Sequence, residues 1–473
     1  ELDAPTVPSD PVQLQDTAVV PASLSVSGST ISLTPDAVLD FGAEYTVFVD
    51  ETVADEEGEQ LGTNTTTTFS TRYLTVSVST TGGDLVQGAA ISVDESPAGS
   101  TDVAGELPLS VASGGTLDVS AVKTFFIEAS EAGVPLDGTT YDVQLELAPY
   151  IYVPTRPEGG GIARLDSVDA EPATWDEIFS IDYGIEQTHG LGYAIYIYTD
   201  YENGLMYVLD ASWESDLVTL IRMTDFPPAA NGSDAEVVEL AYDPDELYVY
   251  GAQQLAVLDD GSIMLFDTSL SFPGQFRLIN VPQNLEFTTA QVGVGTFFSG
   301  PNPPEYDAMG LSQLPDGSFL VTGGDHSTIF AGTLDGVDDT TIESFGSLTY
   351  GTGENNLAYP TRTVVSPDGS YVYISDTGYR FATTPPPDDN SRIVRVDTSG
   401  NGFTSYGGPG TGVDQFDGPV ILGLLPDNKL YIMDVDNDRL VRIDPGVFDG
   451  GAADWTESDP TANFNFDYWY NYS

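Results

Sequence analysis

The sequence predicts an all-β protein: a six-bladed β-propeller preceded by two small β-sandwich domains. Three observations carry that expectation. First, a small turn followed at once by a β-type run recurs five times in the second half. Asn203-Gly204 precedes LMYVL, Asp260-Gly261 precedes SIMLF, Asp316-Gly317 precedes SFLVT, Asp368-Gly369 precedes SYVYI and Asp427-Asn428 precedes KLYIM. The turns are 57, 56, 52 and 59 residues apart. Four-stranded propeller blades sit at the upper end of the roughly 20–50-residue range of common repeats. Second, a weaker copy, Tyr150–Val153 followed by Gly161–Asp166, lies about one period before Leu205, which makes six. Third, the residues before it read as short strands broken by Ser, Gly and Asp turns.

Residues 1–72 form the first expected domain. Leu24–Asp36 gives a strand, a Ser-Gly-Ser turn and a strand; Phe41–Asp50 is the next strand, Asp55–Gly62 a loop and Thr65–Arg72 the last strand. The order LTPD, YTVFVD, EEGEQLG and TFSTR resembles the second half of a bacterial Ig-like module, of the kind found in adhesins and surface-layer proteins. The family's first strands are barely present, and Pro5, Pro8 and Pro11 precede Leu24. Two readings stand: a short, divergent first strand completes the sandwich, or a strand from another chain does so by β-addition.

Residues 73–148 form the second expected domain. Leu74–Asp94, Ser100–Val111 and the closing strand Thr140–Leu147 resemble carboxypeptidase-regulatory-like or transthyretin-like sandwiches. That resemblance implies a spacer.

Residues 149–473 form the expected propeller. The pair at Tyr150–Val153 and Gly161–Asp166 reads as a blade's third and fourth strands, so two strands must come from elsewhere. The C-terminal stretch alternates Phe464, Phe466, Tyr468, Tyr470 and Tyr472 with mostly polar residues, as a half-buried strand does. Those residues are the candidate interaction strand. They close the ring, removing exposed sheet edges, or serve as a donor strand for another chain. The later blades resemble NHL repeats. The residues that carry this are Tyr406–Val420 (YGGPGTGVDQFDGPV) with Leu422–Asp444, and Tyr350–Pro360 with Val364–Arg380. The match covers roughly residues 345–445 and fades over 195–340. It implies a six-bladed binding platform, although some related propellers are enzymes.

The chain carries 74 acidic and 13 basic residues, a formal charge of −61, with 40% hydrophobic residues. Such apolar content supports packed cores, so this is not a disordered acidic segment. Acidity with only two lysines, Lys123 and Lys429, suits a halophilic or marine exterior where salt screens self-repulsion. Phosphate backbones need a basic face, so nucleic acid is an unsuitable partner. Anionic membranes are disfavoured for the same reason, and no long apolar run spans a bilayer. With no Cys, thiol chemistry is excluded. The numbering opens at Glu1, as in a secreted or cell-surface chain whose signal peptide has been removed. Sequons occur at Asn64, Asn231 and Asn471.

Catalytic signals are sparse. His189 and His326 are the only histidines, and no G-x-S-x-G elbow exists. Calcium is the candidate cofactor, because hard cations take carboxylate oxygens. Asp434, Asp436 and Asp438 alternate like the start of an EF-hand loop but lack its Gly and distal Glu, and Asp50, Asp55 and Glu57 cluster in the Ig-like loop. Arg164, Arg222, Arg277, Arg395 and Arg442 recur at similar places, read as fourth strands, and suggest a repeated pairing with acids of adjacent strands. The expected function is therefore a non-enzymatic extracellular binding or structural protein. Its partner is a protein, a glycan or copies of itself, as in a filament or layer. The alternative is a metal-dependent lactonase-like hydrolase or a lyase with calcium on the propeller axis.

Overall fold

The computed structural model describes residues 12–16, 19–27, 30–36, 39, 43–54, 58–112, 115–136, 140–155, 161–169, 176–179, 194–212, 217–225, 235–239, 254–258, 260–267, 275–281, 283, 285, 292–296, 308–323, 328–334, 340–351, 353–377 and 390–458. It is nearly all β and divides into two compact units. One holds Glu1–Lys123 with Ile127–Ala148, the other Thr124–Phe126 with Pro149–Ser473.

The first unit opens with β1 (Val12–Gln15), β2 (Val19–Val20), β3 (Ala22–Ser27), β4 (Thr30–Pro35), β5 (Glu44–Val49) and β6 (Thr65–Thr80). It continues with β7 (Ala90–Val93), β8 (Ser96–Ser100), β9 (Glu106–Ala112), β10 (Thr116–Val122), β11 (Ala129–Pro135) and β12 (Thr140–Leu147). One sheet runs β12-β6-β5-β1-β2 with β9 also on β6, another β11-β10-β7-β8, and β3 with β4 forms a hairpin. β1 answers the question of the missing first strand. It pairs antiparallel with β5, Leu14 opposite Val47, and buries Val12 and Leu14. A short strand of the same chain thus takes that place.

The 16-residue β6 runs through the expected boundary at 72/73. Its start pairs with β5, Thr71–Ser77 with β9 and Tyr73–Thr80 in parallel with β12. Leu74, Val76 and Val78 alternate along it and are buried, as are Ile91, Val119, Ala121, Val143 and Leu145. The period of two puts the apolar set on one face.

The second unit is a propeller-type series of antiparallel sheets. Sheet one holds β13 (Ile151–Thr155), β14 (Gly161–Leu165) and β15 (Asp176–Phe179). Sheet two holds β16 (Ala194–Asp200), β17 (Leu205–Ser212), β18 (Leu217–Met223) and β19 (Ala235–Glu239). Sheet three holds β20 (Gln254–Val257), β21 (Ile263–Asp267), β22 (Gln275–Val281) and β23 (Val292–Thr296). Sheet four holds β24 (Ala308–Gln313), β25 (Phe319–Gly323), β26 (Thr328–Leu334) and β27 (Thr340–Ser344). After a short parallel pair, β28 (Thr349–Tyr350) and β29 (Asn356–Leu357), sheet five holds β30 (Pro360–Val365), β31 (Tyr371–Asp376), β32 (Arg392–Asp397) and β33 (Thr404–Tyr406). Sheet six holds β34 (Pro419–Leu424), β35 (Leu430–Asp434), β36 (Arg439–Ile443) and β37 (Thr456–Glu457).

Neighbouring sheets share cores. Tyr152 and Ile162 of sheet one pack with Met206, Val208 and Ile221 of sheet two. Val372 and Val394 of sheet five pack with Leu320 of sheet four. Ile151, Val153 and Leu165 of sheet one also pack with Val420, Met433 and Leu440 of sheet six, so the series returns on itself. A strand covered on both faces is apolar throughout rather than alternating, which is why β31 and β35 are almost wholly buried.

The repeated turn joins the first strand of a sheet to its second. Its second residue lies in the left-handed region, with φ of +66° at Gly204, +77° at Gly261, +84° at Gly317, +68° at Gly369 and +57° at Asn428. Gly and Asn are the residues that tolerate this conformation. Asp260, Asp316, Asp368 and Asp427 each accept from the backbone amide two residues on, an Asx turn.

That placement corrects two expectations. Arg222, Arg277, Arg395 and Arg442 lie in third strands, not fourth. β13 and β14, with Arg164 in the latter, correspond to second and third strands, so sheet one lacks its innermost strand alone, among the described residues. The strong sequence signal belongs to the hairpin turn. The run after each turn is a second strand rather than a third, so every strand beyond the turn lies one position further in than expected.

Candidate functional site

The inner strands of the propeller unit frame a cavity of about 150 Å³. β13 contributes Ile151 and Tyr152, and β16 contributes Tyr196, Ile197, Tyr198 and Thr199. Tyr201, Gln254, Thr363, Val364, Tyr431 and the stretch Ile421–Leu425 complete the wall. A polar chain runs beside it. Gln254 Nε2 donates to the Tyr196 hydroxyl (3.3 Å), and Gln254 Oε1 accepts from the Leu311 amide (2.8 Å). The buried Arg362 guanidinium lies 4.6 Å from the Tyr196 ring centre, a cation–π contact strengthened by desolvation. Tyr201 donates to the Tyr150 carbonyl (2.6 Å) and Tyr431 to Asp427 Oδ2 (2.7 Å).

Burial pushes the Tyr196, Tyr198, Tyr201 and Tyr431 hydroxyls above the ordinary phenol range. They stay protonated, so none is poised as a general base near neutral pH. No carboxylate, histidine or lysine lines the cavity among the described residues.

Two buried clasps hold the ends of second strands in sheets five and six. Asp434 Oδ1 accepts from the Asp417 amide (2.6 Å), and Oδ2 from Asn437 Nδ2 and Arg439 Nε (both 2.8 Å). Arg439 also donates to the carbonyls of Thr411, Gly412 and Gln415 and to Glu457 Oε2. Asp376 repeats the arrangement with the Ala358 and Tyr359 amides, Asn390 Nδ2 and Arg392 Nε. The clasps fasten the glycine-rich leads to the blades. Burial pushes both carboxyls up, Arg392 pulling back most at Asp376 and Asn437 at Asp434.

Of the calcium candidates, Asp434 is thus held by three donors, and Asp436 is exposed nearby. Asp50 Oδ1 accepts from the Thr52 amide and hydroxyl, which hold its carboxyl below the ordinary value. Asp55, Glu57, His189, His326 and the strand with Phe464, Phe466, Tyr468, Tyr470 and Tyr472 lie outside the described residues. Among those described, no group of three or more His, Asp or Glu is placed to hold a metal.

The recurrent arginines find acids: Arg222 pairs with Glu236 of the adjacent strand, Arg395 with Asp449 and Arg442 with Asp454. Each also sits opposite a second-strand tyrosine, as does Arg164. The register pairs are Tyr152–Arg164, Tyr207–Arg222, Tyr373–Arg395 and Tyr431–Arg442. Sequence reasoning missed the tyrosine partner and also Gln254 and Arg362. The available signal for Arg362 was that it falls outside the recurrent arginine position.

The bacterial Ig-like domain family matches residues 3–71. No curated protein matches the chain in sequence. Among solved structures, a catalytically inactive virginiamycin B lyase from Staphylococcus aureus bound to quinupristin is 16% identical, covering 55% of this chain and 68% of that one, with a TM-score of 0.34. A putative 6-phosphogluconolactonase from Bacteroides fragilis is 16% identical over 65% of this chain and 79% of its own, TM-score 0.36. A Lactobacillus plantarum protein is 13% identical over 79% and 96%, TM-score 0.39. At these values none of the likenesses bears on activity. No helix among the described residues is long and apolar enough to cross a membrane.

Proposed function

We propose that this chain is a secreted or cell-surface protein that binds rather than catalyses. Its last 325 residues or so, 149–473, form a six-bladed NHL-like propeller that serves as an interaction platform, joined to an Ig-like domain (1–72) and a carboxypeptidase-regulatory-like sandwich (73–148). One observation carries the reading: the cavity framed by the inner strands is walled by tyrosines, aliphatics, threonines and one glutamine, without a titrating acid or base among its described residues. A hydrolase or lyase on the axis requires groups that exchange protons near neutral pH or bind a metal. The clasps at Asp376 and Asp434 and the Arg–Tyr pairs direct much of the scarce positive charge to scaffolding. Net charge of −61 favours cationic or neutral partners, such as a protein or glycan, in salty surroundings.

The test is turnover. The intact chain is incubated with a panel of lactones and esters in seawater-like salt, with and without calcium. The proposal expects rates indistinguishable from buffer. Saturable turnover that disappears in Gln254→Ala would overturn it.

A further inference from the structure

Of the three sequons, those at Asn231 and Asn471 lie outside the described residues, whereas Asn64-Thr65-Thr66 stands on the surface of the first unit. The base of the loop between β5 and β6 fixes its geometry. The Gly62 amide donates to the Glu51 carbonyl (3.0 Å), and the Glu51 amide donates to Asn64 Oδ1 (2.8 Å). The carboxamide is thus held by its oxygen. Its Nδ2 has no acceptor among the described residues, and Asn64 is exposed. A carboxamide bonded through oxygen alone keeps both N–H groups for solvent. The strand that follows leaves the rest of the sequon open. Thr65, Thr66, Thr67 and Thr68 are all exposed, and since successive side chains point to opposite faces, neither face is covered there. Among the described residues Thr65–Ser70 pair with β5 alone, while β9 and β12 join from Thr71 and Tyr73.

We infer that Asn64 is a modification site that carries an N-linked glycan over the start of β6. The inference rests on the secreted or cell-surface reading above and adds a covalent group to it. The chemistry uses both exposed ends of the sequon. A transferase of the host recognises the acceptor asparagine together with the hydroxyl two residues on, here Thr66. Asn64 Nδ2 attacks C1 of a sugar carried on a polyprenyl phosphate or pyrophosphate. The N–C1 bond forms, the bond from C1 to the phosphate oxygen breaks, the lipid phosphate leaves with the bonding pair, and Nδ2 gives one proton to the transferase. Nothing is oxidised or reduced. A second observation points to the same place. Residues 60–71 carry no charge in a chain with 74 acidic residues, and they contain no Pro. Exposed strands at a sheet border are ordinarily guarded by charge, by Pro or by a covering element. A hydrated sugar on Asn64 is such a cover, placed where the acids that solvate the rest of the chain are missing.

The test is mass spectrometry of the full chain recovered from its native source, with cells and medium kept apart. Cleavage after Glu59 and Arg72 releases Gln60–Arg72, which holds a single Asn. The inference expects this peptide to carry a sugar mass that electron-transfer fragmentation places on Asn64. Thr66→Ala, returned to the same source, should lose that mass, and Thr66→Ser should keep it. Both changes fall on an exposed side chain, and circular dichroism reports whether each variant is folded. An unmodified peptide in protein recovered from the cell surface or the medium would overturn the inference and leave the secreted reading standing. Sugar on Thr65–Thr68 in place of Asn64, or sugar retained in Thr66→Ala, would overturn it as well. Protein found only inside the cell would overturn the secreted reading and the inference with it. None of these outcomes depends on turnover, so failure here is distinct from failure of the non-enzymatic reading.

Discussion

Replacing Asp434 by alanine removes the centre of the sheet-six clasp. The carboxylate has no exposure and accepts from an amide, an amide side chain and Arg439 Nε, the last at 2.8 Å. The Arg439 side chain is itself 8% exposed, so the change strands a buried guanidinium. Breaking a buried pair by removing one partner costs about 3–5 kcal/mol. Arg439 keeps Glu457 at 2.7 Å, but that acid is 37% exposed and solvent weakens its compensation, which places the expected loss near the lower end, about 3 kcal/mol. At about 2–4 °C per kcal/mol for a large domain, the propeller's transition should fall by roughly 6–12 °C. The assay is thermal unfolding followed by circular dichroism. Asp436→Ala, two residues away and exposed, is the control and should stay within about 0.5 kcal/mol. Adding Arg439→Met to Asp434→Ala should recover part of the loss, because no uncompensated charge is left. The reasoning is refuted if Asp434→Ala lowers Tm no more than Asp436→Ala does.

Three further outcomes follow from the same structure. With a formal charge of −61, Tm should rise steeply with sodium chloride up to molar salt as repulsion is screened; a flat salt profile would count against dispersed self-repulsion. Asp316 is held below its ordinary value by the Ser318 hydroxyl and amide. Its folded value lies under the unfolded one, so its stabilisation is present above about pH 3.8 and is lost as pH falls through the folded value. The Tm gap between the native chain and Asp316→Ala should be open at neutral pH and close in acid; a gap that widens in acid reverses the sign. Phe125 is 4% exposed and packs edge-to-face on Tyr152 at 5.9 Å, so Phe125→Ala should cost about 3–5 kcal/mol, read as a lower Tm; a loss under about 1 kcal/mol would show that its pocket is not a packed core.

Much of the fold was legible because its punctuation is chemical. Asn203-Gly204 and its four successors must supply a left-handed residue, and only Gly or Asn does so without strain. The period of those turns therefore marks five of the described sheets before any contact is known. The strand order was less legible, since the turn marks a junction between two strands without saying which position in the sheet they take. The clasps were half visible: Asp434 stands out beside Asp436 and Asp438, but sequence could not say whether its carboxylate faces a cation or a guanidinium. Burial decides that, because a desolvated carboxylate flanked by an amide takes the nearest fixed charge. The cavity was not legible at all. Its walls come from five sheets far apart in the chain.

The most direct measurement of the proposed ring-closed platform is the solution mass of the intact chain by light scattering in seawater-like salt. The account predicts a single species at 50.4 kDa. A larger, polydisperse mass that falls back to one chain when residues after Ser458 are removed would contradict it, because the aromatic strand would then be seated in a neighbour rather than in its own propeller.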